Sequence, residues 1–235
     1  MPLCSISLTN SSTGIGRFFF LVKLRSESSE FGMPIERYLK PDGTVIIPPV
    51  LLTLREEFMR AQGYLADRIF SVAADETETL SVKDQLNRNV FYECKDVHVL
   101  GTLIKEWYRE LPTPLLIGLD IGVFMESENA AKCVQAFESL NEPAKSLFSW
   151  LLDLMCDVVA HTHQNGMSAQ NLATVMAPNL FAPSLDEQYL YKDQEVDLIT
   201  LSLKIVHFVQ QLITHRASQR APSLTHTMPT PSPPK

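Results

Sequence analysis

Apolar residues recur at helical spacing through most of this chain. Six segments share the pattern, and they cover residues 48–62, 96–111, 130–140, 143–159, 168–177 and 194–214. A recurrence at every third or fourth position places the apolar side chains on one side of a helix, where they can pack against a core. Strand-like patterns are confined to residues 44–47 and 16–24. The pattern therefore predicts an all-α fold.

Polar residues and prolines mark the predicted ends of several helices. Asp96 and Ser168 each precede an apolar run, and their side-chain oxygens can accept a hydrogen bond from an N–H group of the first turn. Pro112 and Pro178 are predicted to end their helices, because proline lacks the N–H group that the next turn needs. The segment 143–159 is apolar over a broad surface, so we expect it to be the central buried helix.

The composition indicates a folded protein with an acidic surface. The 235 residues are 45% hydrophobic and 20% charged, which suffices for one sizeable core. A formal net charge of −7 argues against general nucleic-acid binding, which requires a basic face. The four cysteines have no paired spacing, so we expect reduced thiols in a cytoplasmic protein. No run approaches the roughly 20 apolar residues that insert into a membrane.

The two ends of the chain differ in composition from its middle. Residues 1–26 contain Arg17, Lys23, Arg25 and several serines, with no acidic residue before Glu27, which is typical of either a transit peptide or a leader arm. We interpret residues 1–30 as an N-terminal arm. Residues 216–235 are rich in Ser, Thr and Pro, which predicts a disordered tail. The predicted domain is therefore residues 31–215.

A search for catalytic and metal-binding motifs is mostly negative. The chain has no phosphate-binding loop of the G-x-x-x-x-G-K-[ST] type, no G-x-S-x-G elbow and no H-E-x-x-H motif. His161, His163 and Cys156 do not match a standard zinc spacing, so we interpret them as part of a polar helix end. We expect no cofactor and no metal.

Two cations on the helix predicted at residues 96–111 are the informative exception. Lys105 and Arg109 are four residues apart, so they lie on one face of the helix and repel each other. One interpretation is a solvated face on which Glu106 and Glu110 balance the charge of Arg109. The other is a positive stripe that binds an acidic partner.

Three segments together resemble the Rho GTPase-activating domain family. The first is DVHVLGTLIKEWYRELPTPLL at residues 96–116, the second is NGMSAQNLATVMAPNLF at residues 165–181, and the third is FGMPIERYLK at residues 31–40. They are similar to the family's helix with the R-E-L-P exit turn, to its N-K-M…N-L-A…P-N-L segment, and to its F-G-x-P entry. Their order and spacing agree with the family over residues 31–215.

The resemblance implies a compact helical bundle and a partner. Such domains bind a Rho/Rac/Cdc42-type small GTPase in its GTP-bound form and accelerate hydrolysis on that partner enzyme. Lys105, Arg109 and Asn179 match the family's GTPase-binding residues, whereas Asn171 and Pro112 match positions that support the fold. The expected protein is a monomeric regulator with no catalytic activity of its own.

The chain departs from the family where the family's catalytic arginine stands. Members carry a G-[IV]-F-R loop whose arginine enters the GTPase site and stabilises the transferred phosphoryl group, which is worth about 10³–10⁵ in rate. Here Ile69 and Phe70 match, Arg68 replaces the glycine, and Ser71 occupies the arginine position. A short neutral serine cannot substitute for a planar charged guanidinium.

Two interpretations of this departure remain open. In the first, the protein keeps the docking surface and has lost most of the stimulation, so that it acts as a weak activator or as an inactive GTPase-binding adaptor. In the second, Arg68 reaches the phosphate in place of the missing arginine, although a shift of three residues moves its anchor by up to about 10 Å. A scaffold that binds no GTPase is a third, different class of function.

Overall fold

The computed structural model describes residues 29–181 and 197–220, and helices dominate both ranges. Nine α-helices form within these residues: α1 (Pro49–Arg60), α2 (Glu76–Asn87), α3 (Val97–Arg109), α4 (Ile121–Glu126), α5 (Ala130–Glu138), α6 (Ala144–Val159), α7 (Thr162–Asn165), α8 (Ala169–Leu180) and α9 (Leu198–Arg220). Short 3₁₀ turns occupy Ile35–Tyr38 and Gly63–Leu65. The all-α prediction is confirmed. The strand-like pattern at residues 44–47 yields only one bridge, between Leu39 and Val45, and residues 1–28 lie outside the described part.

Helix α6 lies at the centre of the core, as its broad apolar surface predicts. Leu147, Phe148, Leu154 and Val158 are fully buried, and they point to more than one side of the helix. Helices α8 and α9 pack against α6 and against each other, so these three helices together enclose the centre of the core. Burying a side chain of this size contributes about 1.5–3 kcal/mol, which is why local propensity matters less here than tertiary packing.

The helix starts predicted at Asp96 and Ser168 are confirmed. The Asp96 carboxylate accepts a hydrogen bond from the His98 N–H at 2.8 Å, and the Ser168 hydroxyl oxygen accepts one from the Asn171 N–H at 3.2 Å. Asp75 caps α2 in the same way, through the Glu78 N–H. The weakly amphipathic α2 and the short helices α4 and α7 were not predicted from the sequence pattern.

The prediction that Pro178 ends its helix is wrong. Helix α8 continues to Leu180 and contains Pro178 in its last turn. A proline there removes a single N–H group, and the helix has only two more residues to form. The buried side chains of Ala177 and Leu180 anchor the turn on both sides of the proline. Tertiary packing therefore outweighs the local signal.

The last helix is longer than predicted. Helix α9 runs to Arg220, so residues 216–220 are helical although we assigned them to the tail. Arg216 bonds Asp153 through its Nε at 2.6 Å and Ser149 at 2.9 Å, and Arg220 bonds Asp153 and Asp157. These contacts with α6 extend the helix beyond its apolar stripe. Residues 221–235 lie outside the described part.

Candidate functional site

The loop formed by residues 67–72, called the 67–72 loop here, is pressed against α3. Ile69 and Phe70 are buried, and the Phe70 ring lies 5.7 Å from the ring of Phe58 on α1. A Cβ atom at Gly101 of α3 would lie 3.4 Å from the side chains of Ile69 and Phe70, which is van der Waals contact, so the loop packs closely on the helix. The apolar residues therefore anchor the loop and leave its polar residues at the surface.

The backbone of the 67–72 loop adopts left-handed conformations at two residues. Arg68 has a φ of 45° and Phe70 a φ of 69°. The Arg68 N–H donates to the carbonyl of Asn165 at 2.8 Å, and the Ser71 N–H donates to the carbonyl of Arg68 at 2.9 Å. Left-handed φ values favour glycine, which explains why the resembled family has glycine where Arg68 stands.

The side chains of Arg68 and Ser71 both face solvent. The Arg68 side chain is 69% exposed, and its Nε lies 3.3 Å from the equally exposed carboxylate of Asp67. Ser71 is exposed as well. The loop thus presents a neutral hydroxyl at the position where the resembled family has its arginine, and an exposed guanidinium paired with Asp67 three residues earlier.

Lys105 contacts the 67–72 loop directly. Its Nζ donates a hydrogen bond to the carbonyl oxygen of Phe70, the residue before Ser71. Burial lowers the pKa of the Lys105 ammonium below its ordinary value, and the nearby Arg109 lowers it further, whereas Glu106 raises it. Lys105 is therefore half-buried between α3 and the loop, and it is less of an open surface cation than its sequence position suggests.

Arg109 presents the exposed charge of the predicted stripe. Its side chain is 52% exposed and pairs with Glu106 at 3.2 Å. Lys83 of α2 also binds Glu106, at 3.0 Å, and it pairs with Glu110. The contact that we considered between Arg109 and Glu110 is thus replaced by one between Lys83 and Glu110. The cations Lys83, Lys105 and Arg109 outnumber the carboxylates Glu106 and Glu110 here. This surface therefore has a local excess of positive charge, although the protein is acidic overall.

Asn179 lies at the end of α8, and the structure shows it nearly buried. Its side-chain amide donates to the carbonyl of Val175 at 2.8 Å. Helices α3 and α8 pack against each other, and the Leu116 N–H after α3 donates to the carbonyl of Leu180. The structure thus brings the helix of Lys105 and Arg109 together with the helix of Asn179. The Val175 bond uses one of the two N–H groups of the Asn179 amide, so binding of a partner does not require that bond to break.

The two residues predicted to support the fold are both exposed. Asn171 donates through its side-chain amide to the Gly166 carbonyl at 3.0 Å, which closes the turn before α8. Helix α3 ends at Arg109 with Glu110 as its C-cap residue, and Pro112 follows two residues later at the start of the exit loop. Their supporting roles stay predictions.

Asn165 is the supporting residue that the sequence analysis missed. It is fully buried, and its side-chain amide donates to the carbonyls of Tyr64 at 2.6 Å and Val158 at 2.9 Å. Its side-chain oxygen accepts from the Met167 N–H at 2.7 Å. The only signal in the sequence was its place as the first letter of the segment at residues 165–181.

Metal binding and membrane insertion find no support in the described ranges 29–181 and 197–220. None of their helices combines the length and apolar character of a membrane span. The same ranges hold no group of three His, Cys, Asp or Glu residues that is arranged to bind a metal ion. His161 stacks on Tyr64 at 4.8 Å, and the Cys156 thiol contacts the Ile213 carbonyl, so both have structural neighbours.

Sequence comparisons match the chain to one family. The family model of the RhoGAP domain matches residues 48–185. Rho GTPase-activating protein gacA of Dictyostelium discoideum is 34% identical over 201 residues, which cover 85% of this chain and 57% of that protein. Rho GTPase-activating protein 2 of Arabidopsis thaliana is 32% identical over 182 residues, which cover 76% of this chain and 40% of that protein. The chain thus spans about half the length of these relatives.

Comparison of structures agrees on the fold. The crystal structure of human Rho GTPase activating protein 15 superposes with a TM-score of 0.66, covering 81% of this chain and 91% of that one at 17% identity. The BH domain of the GTPase regulator associated with focal adhesion kinase superposes with a TM-score of 0.59, covering 72% and 94% at 15% identity. At these identities the likeness concerns the arrangement of helices.

Proposed function

Because this chain belongs to the RhoGAP domain family, we propose that it binds a GTP-loaded Rho-family small GTPase and stimulates GTP hydrolysis only weakly. The observation that carries the proposal is the contrast between two parts of one surface. Arg109 stands exposed on α3 with a positive excess around it, whereas Ser71 at the loop tip is neutral. The surface can dock, but it lacks the charge that stabilises the transition state.

The docking surface of this proposal consists of Arg109, Lys105, Asn179 and the 67–72 loop. The relatives are named Rho GTPase-activating proteins, and we extend that role to this chain as a monomeric, cytoplasmic regulator. The chemical step belongs to the bound GTPase, whose own nucleotide site supplies the nucleophilic water. This chain contributes positioning and electrostatics, which is why we do not assign it a catalytic activity of its own.

Lys105 supports the proposal by its contact with the loop. By holding the Phe70 carbonyl, it holds the backbone atom next to Ser71. Docking through α3 would therefore bring the loop tip to the GTPase at a defined position. Ordered placement of this kind accelerates hydrolysis modestly even without an arginine, because the attacking water and the switch segments lose freedom on binding.

The second candidate function is an inactive GTPase-binding adaptor. It is favoured by the neutral Ser71 at the loop tip. Of the two nearby cations in the described residues, Arg68 sits three residues away with its Nε on Asp67, and the Lys105 ammonium is bound to the Phe70 carbonyl. The two functions share the docking surface and differ only in whether the docked complex hydrolyses GTP faster than the free GTPase.

Single-turnover GTP hydrolysis with a panel of Rho, Rac and Cdc42 proteins separates the candidates. The wild-type chain should accelerate hydrolysis far less than the 10³–10⁵ that an arginine typically supplies. Ser71→Arg should raise the stimulation by about 100-fold or more, because the new guanidinium starts beside the carbonyl that Lys105 holds. Ser218→Arg on α9 adds the same charge far along the chain and serves as the matched control.

Three outcomes would change the conclusion. A wild-type stimulation near 10⁴-fold that Arg68→Ala abolishes would identify Arg68 as the working arginine. Binding without any stimulation would establish the adaptor. No association with any GTP-loaded or phosphate-mimic-bound member of the panel would exclude both and favour a scaffold that recognises something else.

A further inference from the structure

We propose that Asn165 is the positioning residue that sets the conformation of the 67–72 loop, so that the activity of any side chain at position 71 depends on a buried amide behind it. The activity test of this inference rests on the proposed function, whereas the positioning mechanism rests on the structure alone. Asn165 is fully buried, and its side chain and main chain form hydrogen bonds with five residues: Tyr64, Arg68, Val158, His161 and Met167.

The side chain of Asn165 ties three segments together. Its amide nitrogen has two N–H groups, and both are used, one on the Tyr64 carbonyl and one on the Val158 carbonyl. Its oxygen accepts the Met167 N–H. Tyr64 belongs to the 3₁₀ turn that leads into the loop, Val158 to the end of α6, and Met167 to the approach to α8. The orientation of the amide is therefore dictated by its neighbours, and no other side chain has the same donors and acceptor at this length.

The main chain of Asn165 makes the contact with the loop itself. Its carbonyl oxygen accepts the Arg68 N–H at 2.8 Å. Arg68 is the residue at φ 45°, where a side chain other than glycine is unfavourable. A left-handed arginine persists only where surrounding contacts compensate for it. The bond to Asn165 is such a contact, because it is formed by the N–H of the strained residue.

The loop has a second attachment on its far side. Lys105 holds the Phe70 carbonyl, and Ile69 is buried between the two attachment points. The polar bonds to Asn165 and Lys105 thus flank the apolar anchor. Lys105 belongs to the helix that we propose docks on the GTPase, whereas Asn165 is buried away from solvent. A change at Asn165 should therefore alter loop placement while leaving the proposed docking cations Lys105 and Arg109 in place.

Native-state hydrogen exchange tests the mechanism without any GTPase. In Asn165→Ala the Arg68 amide should lose protection by a factor on the order of 10–100, because its acceptor is no longer held and the buried carbonyls lose their donors. Amides of the central helix, such as that of Leu151, should change much less. Asn171→Ala is the matched control, since it removes an asparagine amide from the same segment that is exposed and makes one bond.

The activity test is made in the Ser71→Arg variant, in which the stimulated rate is expected to be high enough to measure a loss. Adding Asn165→Ala should reduce the stimulated rate of hydrolysis at saturating chain by about 10-fold or more, since a small misplacement of a catalytic group has a large effect on rate. The dissociation constant for the GTP-loaded GTPase should change less than about threefold, because Lys105 and Arg109 are unaltered. If Ser71→Arg does not raise the rate of GTP hydrolysis, the proposed function fails. The hydrogen-exchange result then still tests the positioning role of Asn165.

Stability decides between positioning and general support. If Asn165→Ala does not fold, Asn165→Ser keeps one hydroxyl donor for one of the two carbonyls and takes its place in both measurements. Equal loss of protection at Arg68 and Leu151 would show that Asn165 merely stabilises the whole domain and would overturn the proposal. Unchanged protection at Arg68 would overturn it as well.

Discussion

Arg68 and Phe70 both have left-handed backbone conformations, and neither is a glycine. At a single residue this conformation costs about 1–2 kcal/mol, because Cβ approaches the following carbonyl oxygen. Phe70 is compensated by burial of its ring, whereas the Arg68 side chain is exposed and only its backbone bond to Asn165 offsets the strain. Arg68 is therefore a position where the chain stores strain beside its proposed functional loop.

Replacing Arg68 by glycine should stabilise the protein. Relief of the left-handed strain outweighs the extra backbone entropy that glycine brings to the unfolded state, so we expect the free energy of unfolding to rise by about 0.5–1 kcal/mol. Chemical denaturation measures it. Arg88→Gly is the control, because Arg88 is also an exposed arginine but has a φ of −89°. That variant should lose stability, and a loss in Arg68→Gly as well would contradict the strain argument.

At the scale of elements, α9 shows how charged contacts extend a helix. Its apolar residues Leu201, Ile205, Val209 and Leu212 pack into the core, but the last two turns are held by ion pairs. Asp153 and Asp157 of α6 are shared by Arg216, Arg220 and Arg55 of α1. The network joins the first, sixth and ninth helices at one end of the bundle.

Two truncations test this network. A chain ending at residue 215 loses Arg216 and Arg220 and leaves Asp153 without its cations. A chain ending at residue 220 keeps both arginines and is the control. We expect the shorter chain to have a free energy of unfolding lower by about 1–2 kcal/mol, since partly buried ion pairs exceed the usual surface value. Equal stability of the two chains would mean that the last turn contributes nothing.

At the scale of the whole molecule, the charge distribution opposes the net charge. The chain carries a formal charge of −7, yet Lys83, Lys105 and Arg109 gather on one surface with two carboxylates between them. Lys83 occupies Glu106 and Glu110 in part, which leaves Arg109 bound to Glu106 alone. A local positive excess on an acidic protein orients an acidic partner and disfavours non-specific association.

Association with the GTPase should therefore depend on salt through Arg109. Arg109→Ala should weaken binding to a GTP-loaded Rho-family protein by about 10-fold at low ionic strength, mainly through a slower association rate. The loss should shrink as salt is raised, because an exposed charge is screened. Surface plasmon resonance at several salt concentrations measures both. Lys132→Ala on α5 removes one exposed cation elsewhere, and an equal effect there would refute a local role for Arg109.

The sequence by itself determined the fold class, six of the nine described helices and the family of this protein. Helical periodicity, the capping residues Asp96 and Ser168, and three motifs in order depend on residues that are close along the chain. The all-α fold and the RhoGAP family followed from them. The absence of arginine at position 71 is likewise visible in the sequence alone. The sequence pattern predicted the helix ends wrongly where tertiary contacts determine them, as at Pro178 within α8 and at the end of α9.

Only the tertiary structure decided what the candidate site residues contact. Lys105 binds the carbonyl of Phe70, which is 35 positions away, and the Asn165 side chain binds the carbonyl of Tyr64, which is 101 positions away. No local pattern reports such a pairing, because periodicity describes neighbours within a turn or two. The same reason hides the left-handed backbone of Arg68 and the partial burial of Lys105. Long-range hydrogen bonds and burial thus distinguish the exposed cation Arg109, which we propose contacts a GTPase, from Lys105, which is bound to the loop.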